Sequence, residues 1–313
     1  MAVISVEQGH RFGGAWTELK LDAVHYYLGF FTCVLETQPF DLWYIDAFAG
    51  SGTRTVEKET GGLLSDTPLT EETEELAGSV LRALAVDPPF NCHVFIEGQA
   101  SRFRELDAIR KARPDQKIEC RHGDANAELR SIFTSAPWRN QIAGRGKHRA
   151  CVFLDPYGMN VEWETLRLLA DTKAADVWYL FPVLAVTRQL AWDMSRVNES
   201  KASKLDSIFG TLNWREELYN THVSLDLFDT VVTTSVRKVT QPQIEEYARK
   251  RLGTLFRYVS EPLPLIADGR GQLFSLFCLS NSASDPAIGL IKKGVKATLR
   301  KYGGAASHHM SGR

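Results

Sequence analysis

Between residues 42 and 181, short apolar runs alternate with longer segments whose apolar residues recur at every third or fourth position. The runs 42–48, 93–97, 117–122, 150–154 and 177–181 have strand length, and their near-continuous apolar character fits strands covered on both faces. The intervening segments 75–85, 100–112, 125–135 and 162–171 carry helical spacing. Five strands separated by helices predict a doubly wound α/β fold with a mostly parallel sheet. An amphipathic helix over about 17–35, with Leu19, Leu21, Val24, Tyr27, Leu28 and Phe31 near one face, precedes the first strand. It is placed to cover the sheet or to close over a ligand.

After residue 186 strand signals become sparse while helical ones continue, for example at 243–252, which predicts a helical insertion over 186–255. Strand patterns return at 257–266 and 272–280. They flank Ala267-Asp268-Gly269-Arg270-Gly271, a polar loop with two glycines suited to an antiparallel hairpin. A last helix spans about 286–302. The predicted organisation is a core over 1–185, the insertion, and a hairpin and helix over 256–302 that complete a seven-stranded sheet. A small polar tail, 303–313, is expected to be disordered, and its His308-His309 pair is not read as a metal site.

With 313 residues the chain can bury one substantial core. Its composition, 44% hydrophobic and 24% charged with a formal net charge of −1, is that of an ordinary enzyme and lacks the overall basicity of a phosphate binder. Nucleic-acid contact would therefore need a local patch. The basic clusters at 145–149, 201–204, 249–251 and 292–301 are candidates, although solvated helix faces explain them equally well. Five single cysteines with no C-x-x-C pair read as buried thiols in a reducing, cytoplasmic compartment. The first 14 residues have no apolar core flanked by basic residues, and no run of about eighteen apolar residues occurs, so no membrane segment is expected.

The chemistry-bearing residues cluster where the predicted strands end. Trp43-Tyr44-Ile45-Asp46 runs directly into Ala47-Phe48-Ala49-Gly50-Ser51-Gly52. Open α/β sheets bind ligands at the carboxyl ends of their strands, and glycines there let a ligand approach the backbone. The pattern D-x-F-A-G-S-G resembles the first motif of S-adenosylmethionine-dependent methyltransferases. It differs from the G-x-G-x-x-G dinucleotide fingerprint, and no Gly-Lys-Ser/Thr follows it. This resemblance implies a cofactor loop made by Asp46, Phe48, Ala49, Gly50, Ser51 and Gly52; the alternative is a tight turn without a ligand. Glu97, ending the second strand, suits two hydrogen bonds from ribose hydroxyls, although residues 53–74 push it beyond the usual spacing of about twenty residues. Asp124 and Ala125 follow the third strand. There Asp124 can cap a helix, and it also occupies the place where methyltransferases set an acid beside adenine.

The fourth strand ends in Phe153-Leu154-Asp155-Pro156-Tyr157-Gly158. This resembles the D-P-P-Y element of amino-methyltransferases, which implies that Asp155 and the Pro156 backbone hold a target amine while Tyr157 stacks on the base. A hydrogen-bonded amine directs its lone pair at the methyl without a strong base. One proline stands where that element has two, so Tyr157 comes one position early. Cytosine C5 methylation would instead require a nucleophilic thiol; Cys151, within the strand, is expected to face the core. The segment 53–74, with Gly61-Gly62, Pro68 and the start of the acidic run Glu71 to Glu75, reads either as a lid or as a loop leading into a solvated acidic helix start.

Taken in order, Lys20 and its helix, Y-I-D-A-F-A-G-S-G, Gly78-Ser79, F-I-E, G-D-A-N and F-L-D-P-Y-G resemble the three-Cys-motif partner protein family. The stretch from Asp176 to Pro182 and the C-terminal hairpin extend that resemblance over most of the chain. It implies a class I methyltransferase fold, S-adenosylmethionine as cofactor, and a partner protein with a three-cysteine motif of the iron-sulfur, radical type; this chain lacks that motif. The expected activity is methylation of an amine on a nucleic-acid base. A non-catalytic assembly module serving the three-cysteine partner and a small-molecule methyltransferase are the competing expectations.

Overall fold

A computed structural model of the chain describes residues 15–60, 70–140, 146–225, 231–267, 269 and 271–308. Gly61-Gly62, Pro68, Arg145 and the tail from His309 lie outside the described residues. Helix α1 (Ala15–Leu35) leads into strand β1 (Asp41–Asp46), followed by the hairpin strands β2 (Thr53–Thr60) and β3 (Thr70–Ala77) and the short helix α2 (Ser79–Leu84). Then come β4 (Cys92–Glu97), α3 (Ala100–Lys111), β5 (Ile118–His122), α4 (Ala125–Thr134), β6 (His148–Leu154), α5 (Trp163–Thr172) and β7 (Ala175–Phe181). The predicted strands and crossover helices thus form, with ends shifted by a few residues. The exception is 75–77, expected to open a helix and found in β3. Its partner β2 is rich in β-branched threonine, which favours an extended chain over a helix.

The insertion holds α6 (Val183–Gln189), α7 (Glu199–Phe209), α8 (Trp214–Glu217), the antiparallel strands β8 (Tyr219–Leu225) and β9 (Val231–Arg237), and α9 (Gln241–Leu252). It is therefore not wholly helical: Val231, Val232, Thr233 and Thr234 have the branching that suits a strand. Strands β10 (Tyr258–Val259) and β11 (Leu263–Ala267) pair along one side of β12 (Gly271–Ser280), whose other side pairs antiparallel with β7. The last helix, α10 (Asp285–His308), extends through residues expected to be disordered; Ala305 and Ala306 are strong helix formers that prolong it.

The sheet runs β5-β4-β1-β6-β7-β12, with β10 and β11 together forming the interrupted last edge. Counting that edge as one strand gives seven positions, parallel from β5 to β7 and antiparallel beyond. This is the strand order of the class I methyltransferase fold. Alternate residues of each central strand enter opposite cores. Trp43, Ile45, Val152, Leu154, Tyr179 and Phe181 pack with α4, α5 and the insertion, whereas Leu42, Tyr44, Cys151, Phe153, Trp178 and Leu180 pack with α1, α2, α3 and α10. The five cysteines are free thiols; Cys92, Cys151 and Cys278 are buried as expected, whereas Cys120 is half-buried and Cys33, on the outer side of α1, is exposed.

Phe277, fully buried on β12, fills the core beneath the insertion, whereas Val223 on β8 is largely exposed. Phe277→Ala should lower unfolding stability by about 3–5 kcal/mol, and Val223→Ala should change it by less than about 0.5 kcal/mol. Urea denaturation monitored by circular dichroism measures both.

Candidate functional site

Three loops converge at the carboxyl end of the sheet. Asp46, the last residue of β1, lies opposite Phe95 of β4 on one side and Phe153 of β6 on the other, so Glu97 and Asp155 each extend two residues past it. The segment after Asp46 is pinned to both neighbours: the Ala47 amide donates to the Phe153 carbonyl (3.0 Å) and the Ala49 amide to the Ile96 carbonyl (3.0 Å). Gly50 and Gly52 then take positive φ values of 64° and 84°, a left-handed turn that disfavours side chains. The Gly78 amide closes the turn on the Gly52 carbonyl at 3.2 Å, so Gly78-Ser79 abut this loop as well as opening α2.

Asp46 itself is fully buried and faces inward. Its Oδ1 accepts from the Phe48 amide at 3.1 Å, and the Ser79 hydroxyl also bonds to the carboxylate. Burial pushes the Asp46 carboxyl up to about 7 against these two bonds, which favour the ionised form. Asp46 therefore shapes the loop from behind, while Gly50 forms its front: a Cβ added there would meet nothing within 4 Å. Phe48 and Ser51 are half-buried and Ala49 is buried, packed in the core on the side of α1 to α3.

Across the crevice, Glu97 is mostly buried, with Oε1 accepting from the Gln99 amide at 2.7 Å. Gly98 lies beside the third loop, where a Cβ added to it would come to 3.4 Å from the Gly123 carbonyl oxygen, an ordinary van der Waals contact. Asp124 is exposed and caps α4, its Oδ1 accepting from the Ala127 amide at 3.0 Å; Ala125 is buried beneath it. The open space before Gly50 and the Glu97 carboxylate fit an adenosine-bearing cofactor, with Glu97 suited to hydroxyl donors.

On the β6 side, Asp155 Oδ2 receives the Lys20 ammonium at 2.6 Å, and Lys20 is almost fully buried on α1. The Tyr157 ring is 60% exposed, and its hydroxyl accepts from Arg102 Nη1 at 2.6 Å, which links the fourth loop to the second across the crevice. The loop after Tyr157 is held by buried Asn126: its Nδ2 donates to the Asn160 carbonyl (2.8 Å) and its Oδ1 accepts from the Thr165 hydroxyl (2.8 Å) and the Glu162 amide (3.1 Å). Arg102 and Asn126 had no assigned role in the sequence. Asn126 carried a weak signal, being an amide inside a helix start where it is a poor helix former; nothing distinguished Arg102 from Arg104. Cys151 is fully buried, and burial pushes its thiol well above the ordinary range, which disqualifies it as a nucleophile.

Much of the basic charge is engaged within the fold. Arg249 pairs with Glu246 and Glu261, Arg251 donates to the Phe209 carbonyl, and Arg149, Lys292 and Lys301 lie over the rings of Phe40, Tyr258 and Tyr26. Among the described residues no metal-ligating cluster occurs, and no helix is long and apolar enough to cross a membrane.

Neither a family profile nor a curated relative matches the sequence. Among solved structures, protein LPL1258 from Legionella pneumophila is 13% identical, with 93% of each chain covered and a TM-score of 0.49. The N-terminal domain of EvdMO1 with SAH bound is 13% identical, covering 84% of this chain and 80% of that one, with a TM-score of 0.37. An S-adenosylmethionine-dependent methyltransferase from Clostridium acetobutylicum is 9% identical, covering 84% and 92%, with a TM-score of 0.33. The strand order and the change of helix face identify the fold.

The raised Asp46 carboxyl has a direct consequence for stability. In the unfolded chain it ionises near pH ~4, in the folded chain only near about 7. The folded state therefore binds the extra proton between these values, and stability contributed by Asp46 falls as pH rises through that window. Asp46→Asn lacks this loss, so its stability relative to the native chain should grow from acid toward neutral pH. Urea midpoints across the range read it, and a pH-independent difference would show the assignment of the proton to be wrong.

Proposed function

We propose that the chain is an S-adenosylmethionine-dependent methyltransferase acting on an amine of a nucleic-acid base. The observation that carries this reading is the meeting of the Gly50–Gly52 turn, Glu97 and the Asp155-Pro156-Tyr157 segment at one end of the sheet, on both sides of β1. Glu97 would hold the ribose, the Gly50 turn would admit the methionine portion to the backbone, and Asp124 with Ala125 would border the adenine. The bound cofactor would supply an electrophilic methyl group.

The chain's own groups would orient the acceptor. Lys20 fixes Asp155 through Oδ2, and Oδ1 is the atom we assign to the target amine. Once the amine donates its hydrogen bond there, its lone pair points away from the carboxylate, so no base is needed before the methyl is transferred, and the proton that the methylated nitrogen then sheds would pass to solvent. The Tyr157 ring, exposed and with the Arg102 guanidinium carbon 5.3 Å from its centroid, would stack on an unpaired base, a contact that works with any base and is worth about 1–3 kcal/mol. A second reading, a non-catalytic module that assembles with a three-cysteine iron-sulfur partner, is favoured by one feature: the Lys20 ammonium already occupies Asp155 Oδ2. A small-molecule acceptor enclosed by the insertion has no comparable observation in its favour.

Calorimetric titration with S-adenosylhomocysteine should show saturable binding that weakens by about tenfold or more in Glu97→Gln, the loss of a charge-assisted bond pair. Asp155→Asn should leave that affinity within about twofold while methyl transfer to oligonucleotides falls by about 100-fold or more. A folded chain that binds no S-adenosylhomocysteine would transfer the argument to the assembly module. Binding with normal turnover in Asp155→Asn would remove Asp155 from the reaction.

A further inference from the structure

The hydrogen bond from Arg102 Nη1 to the Tyr157 hydroxyl, 2.6 Å long, is not used by the chemistry proposed above. Arg102 stands in the first turn of α3, past Glu97, and Tyr157 follows Asp155 in the fourth loop. Their parent strands β4 and β6 flank β1 on opposite sides. Paired strands lie about 4.8 Å apart, so the loops that β4 and β6 feed start about 10 Å from one another. Two long side chains that meet from these loops close the gap above the turn after Asp46. The bond is exposed, and the guanidinium carbon also lies 5.3 Å from the centroid of the Tyr157 ring. Glu97 and Asp155 both act electrostatically on the Tyr157 hydroxyl, which sets it near the carboxylate proposed for the cofactor and near the one proposed for the acceptor.

Both supports of this bridge are fixed by the fold. The Arg102 backbone belongs to α3, whose first turn is closed by the Phe103 amide on the Gln99 carbonyl at 2.9 Å. Phe103 in turn lies against the His122 ring, with centroids 5.1 Å apart. Tyr157 precedes the segment that Asn126 ties down through the Asn160 carbonyl and the Glu162 amide. The bridge itself is held less firmly. Among the described residues no carboxylate pairs with Arg102, in contrast to Arg110 of the same helix, which is held by Asp107. An exposed hydrogen bond contributes little net free energy because water replaces either partner, and its typical strength leaves it open roughly a tenth to a third of the time. Rotation of the Arg102 side chain opens it without moving either backbone, and exposed side chains rotate fast. Neither side chain is assigned to the cofactor, so the bond forms alike before and after a ligand enters. Its contribution cancels from the affinity and remains in the rates, since passage in either direction requires it to open.

We propose that Arg102 and Tyr157 form a latch across the crevice that gates the entry and departure of the cofactor, an inference that rests on the reading of this crevice as an S-adenosylmethionine site. Surface plasmon resonance on the immobilised full chain, with S-adenosylhomocysteine as the probe, tests it. Tyr157→Phe removes the acceptor of the bond and keeps the ring. It should raise the association and dissociation rates together by about three- to tenfold while the equilibrium affinity stays within about twofold. Arg102→Met should do the same, and the double variant should be no faster than either single one, the mark of one shared bond. Glu97→Gln supplies the contrast, with affinity lost and association not accelerated. Circular dichroism establishes that each variant is folded. The latch is overturned by unchanged rates in both single variants, by a rise in dissociation alone, or by effects that multiply in the double variant. A folded native chain that binds no S-adenosylhomocysteine overturns the cofactor reading and the latch with it, whereas binding with unchanged rates in the variants overturns the latch alone.

Discussion

The central strands bury both faces, and the architecture depends on that constraint. In β1, Leu42 and Tyr44 enter one core while Trp43 and Ile45 enter the other; β6 and β7 divide their side chains in the same way. A strand apolar on both sides needs helices on both sides. The chain supplies them by crossing on one face through α2 and α3 and on the other through α4 and α5. The change of face falls between β1 and β6, whose loops leave in opposite directions, and a crevice opens at their carboxyl ends. The position of the site is thus a geometric result of covering the sheet, before any functional side chain is considered.

What the crevice adds is a set of buried polar groups that must be satisfied where they stand. Leaving such a group without a partner costs about 1–3 kcal/mol, more if it is charged. Asp46 meets this requirement through the Phe48 amide and the Ser79 hydroxyl, and so ties the glycine turn to α2. Asn126 meets it with three bonds across to the chain after Tyr157. The loops are therefore shaped by fixed hydrogen bonds and less by the residues at their surface; under the proposed function Gly50, Glu97 and Tyr157 would face the ligand.

The strands and crossover helices were legible because their apolar runs and three-to-four-residue spacing report two-sided burial directly. The hairpin β2–β3 and strands β8 and β9 were not. Their sequences are polar or mixed, and what makes them strands is pairing with each other, which a single segment does not display. Of the candidate site, the placement of the motif residues at strand ends was readable, because each follows directly on an apolar strand. The partners Arg102 and Asn126 were not, since their roles depend on residues 55 and 34 to 39 positions away in sequence. Nor did the sequence show that Lys20 reaches Asp155 across 135 residues.

That last contact bears on which acceptors the site suits. A nearly buried ion pair is weak evidence of stability, because desolvation of both charges offsets their attraction. Its effect here is geometric: α1, which covers one face of the sheet, also fixes the carboxylate that ends β6. With Oδ2 committed to an ammonium, Asp155 is better placed to orient a donor than to strip a proton from one. A hydroxyl or ring carbon needs a base or a nucleophile to become reactive, and Cys151 is buried away from that role. An amine already carries its lone pair and needs orientation above all. The pair that favours the non-catalytic reading by occupying one oxygen thus also favours, if the crevice is catalytic, nitrogen over oxygen or carbon as the methylated atom.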